Sequence, residues 1–383
     1  MRIAVVATSR VPSRTANSIR VMKVCQALTE LGHEVRLWVP GPKPDDSWPD
    51  LAHHYGLRLR FSIEWVAAWP PLRRWDFVLR AMGRSNRWSP DVWYVWPYQA
   101  AAALSILARA TVLEVHDRPT GLAGPLLFRL FLKGRGARRL LVITDALRSS
   151  LERMYGVDLK APFVVLTPSG VDLEPYQSLP EPRSARARLG WQERFTAGYL
   201  GHLYPGRGLD LLADVAGRNP DIAFVWAGGE PESVGAWRTR LDAQGLSNVS
   251  LLGFLPQEEL PLVAAACEVL LMPYERSIAV SSGGDTAAFA SPMKAFEYMA
   301  AGRAILASDL PVLHEILDPE VAILLEPESI EAWDGALQRV RSDPDLVRRL
   351  GQAARVRAAR YSWLERTRRA LDGIQASPQR GEG

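Results

Sequence analysis

Short apolar runs alternate with helical stretches along nearly the whole chain, and the alternation stops and restarts once. That pattern leaves few folds open. A strand, then an amphipathic helix, then another strand is a βαβ unit, and repeated units give a mostly parallel, doubly wound sheet. In the first half, strands are expected at 2–8, 33–39, 59–65, 91–95, 111–115, 140–144 and 163–166. The helix expected over 16–31 carries Ile19, Val24, Ala27, Leu28 and Leu31 as an apolar stripe at helical spacing, and Gly32 ends it. In the second half, strands are expected at 195–200, 222–227, 249–252, 269–272, 304–307 and 322–325. Helices fit 209–217, 232–244, 292–301, 330–342, 344–361 and 363–374. Between the halves, residues 174–182 hold Pro175, Pro180 and Pro182 and read as a hinge. The expected fold is α/β, with two doubly wound Rossmann-like domains at 1–175 and 183–362. A last helix at 363–375 and a disordered tail at 376–383 would follow.

At 383 residues, the chain is long enough for two cores. No apolar run approaches the roughly 20 residues needed to span a bilayer. The opening stretch, 1–8, is too short for a signal peptide and reads as the first strand. Cys25 and Cys267 lie far apart and show no metal-ligand spacing, which fits two reduced thiols in a cytoplasmic protein. Charge is uneven. Residues 1–175 hold 24 Lys+Arg against 15 Asp+Glu, a net of +9, and the remainder nets −5. Eight of the 13 Trp fall between Trp38 and Trp96. A basic, aromatic half suits nucleic acid, an anionic membrane or an acidic acceptor, and no nucleic-acid module is recognisable. A solvated basic surface over ordinary core tryptophans fits equally. Residues 71–88 set Arg73, Arg74, Arg80, Arg84 and Arg87 among Leu72, Trp75, Phe77, Val78, Leu79, Met82 and Trp88. This is either a basic amphipathic helix on a membrane surface or a core-facing helix with a charged outer side. Residues 128–139 repeat the theme, and 40–49 read as a surface loop.

The most informative words are Ser291-Pro292-Met293-Lys294 and Glu297-Tyr298-Met299-Ala300-Ala301-Gly302. Ser291 is placed to cap a helix, Pro292 suits its first position and Gly302 its exit. Lys294 would then stand in the first turn, where free N–H groups already favour an anion. Glu297 shares its face and could accept hydrogen bonds from hydroxyls. An ordinary intrahelical Lys–Glu pair explains the spacing as well.

These words resemble the donor-binding signature of family 4 glycosyltransferases. The resemblance implies a GT-B fold, in which two Rossmann-like domains face each other across a cleft and the last helix crosses back onto the first domain. It implies a retaining enzyme that uses a nucleotide-diphosphate sugar, with Glu297 on the ribose hydroxyls. Many members carry a further glutamate eight residues earlier. Here that position is Phe289, which places the chain nearer the family's Ser-Pro-x-Lys variants.

Ligands of open α/β sheets bind beyond the carboxyl ends of the strands. Four loops occupy that place. In 9–18 the family often has a glycine pair, whereas this chain has Ala16-Asn17-Ser18. Asn17 and Ser18 can still donate near the helix start, and Arg14 could add charge. In 113–117, His116-Asp117 is a hydrogen-bonded loop pair or a poised imidazole, and the resemblance sets His116 near donor sugar and acceptor. In 199–208 the family has Gly-Arg-Leu, three residues, then Lys-Gly on the diphosphate. Here Gly201 is kept, His202 stands at the Arg position and Arg207 at the Lys position. In 272–291, Gly283-Gly284-Asp285 is either a turn or a route by which Asp285 replaces the carboxylate absent at Phe289. Residues 167–172 match a family segment with a structural role.

The reading is a metal-independent hexosyltransferase-type enzyme. Lys294 and Arg207 would stabilise the departing diphosphate, with His116 on the acceptor side. Glu297, His202, Gly201, Ser291, Asp285, Asn17 and Ser18 would hold the donor. Expected partners are a nucleotide sugar and a hydroxyl acceptor, lipid-linked acceptors included, at the inner face of an anionic membrane. No cofactor, metal or nucleic acid is expected. A GT-B nucleotide-sugar epimerase and a catalytically silent GT-B binding protein are the alternatives. A dehydrogenase is disfavoured, because no Gly-x-Gly-x-x-Gly follows the first strand.

Overall fold

The computed structural model describes residues 1–69, 72, 75–277 and 288–375. It divides into two compact units, Met1–Pro168 with Trp363–Gly383, and Ser169–Ser362.

The first unit runs β1 (Arg2–Val6), α1 (Ala16–Glu30), β2 (Glu34–Pro40), α2 (Trp48–Tyr55), β3 (Ser62–Val66), α3 (Trp75–Arg87), β4 (Val92–Val95), α4 (Tyr98–Ile106), β5 (Thr111–Val115), α5 (Gly124–Lys133), β6 (Ala137–Val142), α6 (Asp145–Tyr155) and β7 (Val164–Leu166). Its seven strands lie in the order β3-β2-β1-β4-β5-β6-β7, and all six pairings are parallel. Strands covered on both faces read as unbroken apolar runs, as Ile3-Ala4-Val5-Val6 and Val92-Trp93-Tyr94-Val95 do. The order reverses between β1 and β4, so the loops after β1, β4 and β5 surround the switch point, where this class of sheet binds ligands.

The second unit runs α7 (Pro182–Leu189), β8 (Thr196–Leu200), α8 (Leu209–Arg218), β9 (Ala223–Ala227), α9 (Pro231–Ala243), β10 (Val249–Gly253), α10 (Leu260–Ala265), β11 (Val269–Met272), α11 (Met293–Ala301), β12 (Ala304–Ser308), β13 (Ile323–Leu325), α12 (Ile330–Ser342) and α13 (Pro344–Ala358). The six strands lie in the order β10-β9-β8-β11-β12-β13, again all parallel, with the switch between β8 and β11. Apolar layers cover both faces of this sheet, one around Met272, Phe296, Met299 and Ile305 and the other around Trp226, Leu271, Leu306 and Trp333. The last helix, α14 (Trp363–Leu371), packs against α1 in the first unit.

Three expectations are corrected. The loop over 40–49 ends early, because Ser47 and Asp50 form a capping box that starts α2 at Trp48. The first unit ends at Pro168 rather than at residue 175. Residues 169–176 belong to the second unit because Ser169 bonds Ser291 and the Val171 N–H donates to Tyr361 O at 3.0 Å. Finally, α11 begins at Met293 with Pro292 in the cap position, and Ser291 makes no cap bond. The tail at 376–383 lies outside the described residues, as do Arg73 and Arg74.

Candidate active site

In the second unit, β8 leads into Gly201-His202-Leu203-Tyr204-Pro205-Gly206-Arg207-Gly208 and β11 into Pro273-Tyr274. Both segments lie at the switch point, and two bonds tie them together. The Gly208 N–H donates to Glu275 Oε1 at 3.1 Å, and the Glu275 N–H to Gly206 O at 3.1 Å. Gly208 needs to be glycine. Its φ is +68°, and a Cβ there would lie 1.7 Å from Pro273 O.

Helix α11 is held against these strand ends by Tyr298. The Leu200 N–H donates to Tyr298 Oη at 2.8 Å, and Oη lies 3.3 Å from Leu271 O. Gly302, left-handed at φ 63°, ends the helix, and Arg355 donates to Ala301 O at 3.3 Å, meeting one of its last carbonyls.

In the first turn of α11, Lys294 points inward and is only 8% exposed. Its Nζ stands 3.9 Å from the Tyr199 ring centre and 5.1 Å from that of Tyr274. No hydrogen bond reaches Nζ among the described residues. Arg207 lies against the same Tyr274 ring, 4.9 Å from its centre. Burial pushes the Lys294 amine well below its ordinary value, the Arg207 charge adds to this, and Glu297 partly offsets it. Two cations thus share one aromatic ring, and the buried ammonium lacks the oxygens a buried charge requires. Gly201 leaves the room for this, since a Cβ on it would meet Nζ at 2.6 Å.

Gly201, Arg207, Lys294 and Glu297 are therefore grouped at one switch point. Glu297 is half-buried, and its charge adds to burial in raising the Tyr176 hydroxyl pKa. His202 stacks flat on Tyr204, with centres 4.7 Å apart and planes 7° apart. Ser291 is used differently from the expectation. Its Oγ accepts from the Ser169 N–H at 2.8 Å, and Ser169 Oγ donates to Ser291 O at 2.6 Å, both inside the core. These bonds to Ser169 anchor the approach to α11. Asp285 lies outside the described residues. Nothing in the sequence sets Tyr199 and Tyr274 apart. Tyr199 precedes the Gly201 loop by two residues and Tyr274 opens the loop after β11, but their shared partner Lys294 is distant in the chain.

The first unit holds the remaining candidates. Thr15 caps α1 by accepting from the Ser18 N–H at 3.4 Å. Ser18 Oγ is fully buried and bonded to Tyr55 Oη, so Ser18 is withdrawn as a phosphate ligand. Asn17 is exposed, with Oδ1 3.2 Å from His116 Nδ1. His116 follows β5, and its Nε2 is 2.6 Å from Glu114 Oε1. Burial and the neighbouring Arg20 push the imidazole down to about 4, against the pull of Glu114.

Among the described residues no cluster of three His, Cys, Asp or Glu side chains is arranged to hold a metal ion. Cys25 and Cys267 are buried free thiols, and burial raises both, Cys267 to about 12.

Two all-parallel sheets of this order define a two-domain, doubly wound α/β fold. Comparison with known proteins agrees. The model for "Glycosyltransferase Family 4" matches residues 18–175, and that for "Glycosyl transferases group 1" matches 183–357. The chain belongs to the family 4 glycosyltransferases, with the GT-B fold. It is 28% identical over 240 residues to the D-inositol 3-phosphate glycosyltransferase of Gordonia bronchialis, covering 59% of this chain and 50% of the relative. The match thus spans about half the length of that relative and several like it. The GDP-mannose-dependent alpha-(1-6)-phosphatidylinositol monomannoside mannosyltransferase of Mycolicibacterium smegmatis is 26% identical over 355 residues, 88% of each chain. Among solved structures, Anabaena HepE in complex with UDP-glucose superposes with a TM-score of 0.73 at 15% identity, over 96% of this chain and 98% of that one. A glycosyltransferase from Rickettsia africae superposes at 0.74 with 11% identity, over 97% of both chains.

Proposed function

We propose that the protein is a retaining glycosyltransferase that moves a sugar from a nucleoside-diphosphate sugar to a hydroxyl acceptor in glycan or glycolipid biosynthesis. The observation that carries this reading is the buried Lys294 ammonium, unbonded and set beside Arg207 on one aromatic ring. A diphosphate supplies the missing oxygens. Its negative charge grows as the anomeric C–O bond breaks, so the two cations stabilise the leaving group most when it departs. Glu297 accepts from the ribose hydroxyls, and His116 contacts the acceptor. The leaving phosphate oxygen takes the acceptor's proton, as the resemblance to retaining members implies. The printed names of relatives fit this class, since one is GDP-mannose-dependent and a fold neighbour holds UDP-glucose.

Lys294 and Arg207 fill the place of a divalent cation in this reading. Release of nucleoside diphosphate, measured with a panel of nucleotide sugars, should depend on an added acceptor and persist in EDTA. Activity lost in EDTA and restored by Mg²⁺ or Mn²⁺ would overturn the metal-independent mechanism. Diphosphate release that needs no acceptor would overturn the transfer.

The proposal includes a lipid-linked acceptor at the inner face of a membrane, in line with the phosphatidylinositol monomannoside named for one relative. No described helix is long and apolar enough to cross a bilayer. Support for surface attachment comes from α3 and the residues before it. Trp69 is 61% and Leu79 64% exposed, Leu72 and Trp75 are exposed beside them, and Arg84 and Arg87 lie on the outer side of α3. Phe77, Val78 and Ala81 of the same helix face the core. Basic residues near an anionic surface contribute about 1 kcal/mol each. The protein should sediment with phosphatidylserine-containing vesicles more than with neutral ones, and Leu79→Glu should reduce this. Equal partitioning to both vesicles would count against the attachment.

A further inference from the structure

Glu114, next to last in β5, has no exposed side-chain surface, and three groups converge on it. Arg366 Nη2 donates to its Oε1 at 2.7 Å, His116 Nε2 lies 2.6 Å from the same oxygen, and Tyr94 Oη donates to Oε2. Arg366 comes from α14 and is itself 1% exposed. Its Nε donates to Pro168 O at 2.9 Å and its Nη2 also to Thr167 O at 3.3 Å. A fork bonded on this many sides has one geometry. Burial pushes the Glu114 carboxyl up, but the fixed Arg366 charge, with His116 and Arg20, outweighs it and holds the carboxyl far below the usual carboxylate range.

An ionised carboxylate at 2.6 Å decides which imidazole nitrogen carries the proton. A lone pair on Nε2 would face the anion, whereas an N–H donates to it. Trp96 Nε1 also lies near Nε2, but at 3.3 Å, and a neutral contact of that length is the weaker claim. Arg20 Nη1 is 2.9 Å from Nδ1 and 3.1 Å from Nε2. An atom nearly equidistant from both ring nitrogens stands over the ring face, off the line of either lone pair. The in-plane side of Nδ1 is therefore turned toward exposed Asn17, whose amide nitrogen can be rotated to meet it.

We infer that Arg366, acting through Glu114, locks His116 in the Nε2–H tautomer with the Nδ1 lone pair presented on the Asn17 side. The last helix of the chain thus supplies a positioning residue for the imidazole proposed to contact the acceptor hydroxyl. That catalytic meaning rests on the function proposed above, whereas the tautomer lock does not. The groups facing the ring are Glu114 from β5, Tyr94 and Trp96 from β4 and the residue after it, Arg20 and Asn17 from α1, and Arg366 from α14, with Asp117 next in the chain. Burial and Arg20 outweigh Glu114, so His116 stays neutral above about 4 and remains a hydrogen-bond acceptor at neutral pH.

The test is ¹⁵N NMR of the full-length, histidine-labelled protein, with the His116 signals assigned by their loss in His116→Gln. In the wild type, Nε2 should be protonated, Nδ1 unprotonated, and both shifts flat from about pH 5.5 to 8. In Glu114→Gln the single tautomer should give way to a mixture. In Arg366→Gln, which takes the fork from Glu114 Oε1, the same mixture should appear. Arg366→Lys, which keeps the charge, is the fallback should the glutamine variant not fold, and it should retain a partial lock. Kinetically, Glu114→Gln should lower kcat about 10- to 100-fold, as loss of a partner that orients a working histidine does, with donor KM unchanged. A folded Glu114→Gln protein whose His116 stays in the Nε2–H tautomer would overturn the inference. A wild-type protein that shows the lock but transfers no sugar would instead count against the proposed function alone.

Discussion

Lys294→Ala should lower kcat by about 10²–10³, the usual cost of removing one preorganised group that stabilises developing negative charge. Donor KM should change much less, because the interaction strengthens as the leaving group departs. The fold should survive. The residue removed is an unbonded buried ammonium beside a second cation, and its charge costs folding energy wherever it is kept. A lysine with a lowered folded-state pKa binds fewer protons than it does unfolded. Its neutral form therefore favours the folded state at high pH, and that contribution is lost as pH falls through the lowered pKa. A bound diphosphate reverses the shift by pairing with the charged form. Donor binding should accordingly take up a proton in the window between the lowered pKa and the higher pKa of the complex, and should weaken as pH rises above it.

Glu297→Ala should do the opposite in kinetic terms. The ribose diol is unchanged through the reaction, so its loss removes binding that substrate and transition state share. Donor KM should rise about 10- to 150-fold, for roughly 1.5–3 kcal/mol of charged hydrogen bonding, with kcat held within a few-fold. An ordinary surface Lys–Glu pair would behave otherwise, each alanine variant costing at most about 1 kcal/mol of stability and leaving kinetics intact. Steady-state rates against donor concentration for both variants separate the two accounts. A kcat loss at Lys294 and a KM rise at Glu297 support the site, while near-normal kinetics in both would leave α11 a structural helix.

The architecture was legible because parallel strands buried on both faces are continuous apolar runs. Among the described residues all 13 strands fall within a few residues of the expected runs, since Val269-Leu270-Leu271-Met272 or Ala304-Ile305-Leu306-Ala307 has no other sensible fate in an α/β chain. Local signals misled where a distant partner intervened. Ser291 before a proline reads as a helix cap, yet Ser169, 122 residues away, claims both its hydroxyl and its carbonyl. Ser18 reads as a donor at a helix start, yet Tyr55 takes it into the core. The sequence points to Lys294 but not to its setting, because the Tyr199 and Tyr274 rings that shield it meet only through strand order. Arg366 could not be found at all. In Trp363-Leu364-Glu365-Arg366-Thr367-Arg368-Arg369 it is one of several arginines on a short helix, and only packing against α1 and β5 sets it apart.

Calorimetric titration of nucleoside diphosphates into the wild type, Lys294→Ala and Glu297→Ala tests the central claim most directly. It should be run at alkaline pH in two buffers of different ionisation enthalpy. The account predicts that a nucleoside diphosphate binds the wild type with net proton uptake, that Lys294→Ala abolishes the uptake and weakens binding, and that Glu297→Ala weakens binding while keeping the uptake. Failure of every nucleoside diphosphate to bind the wild type, or equal binding by all three proteins without proton uptake, would contradict it.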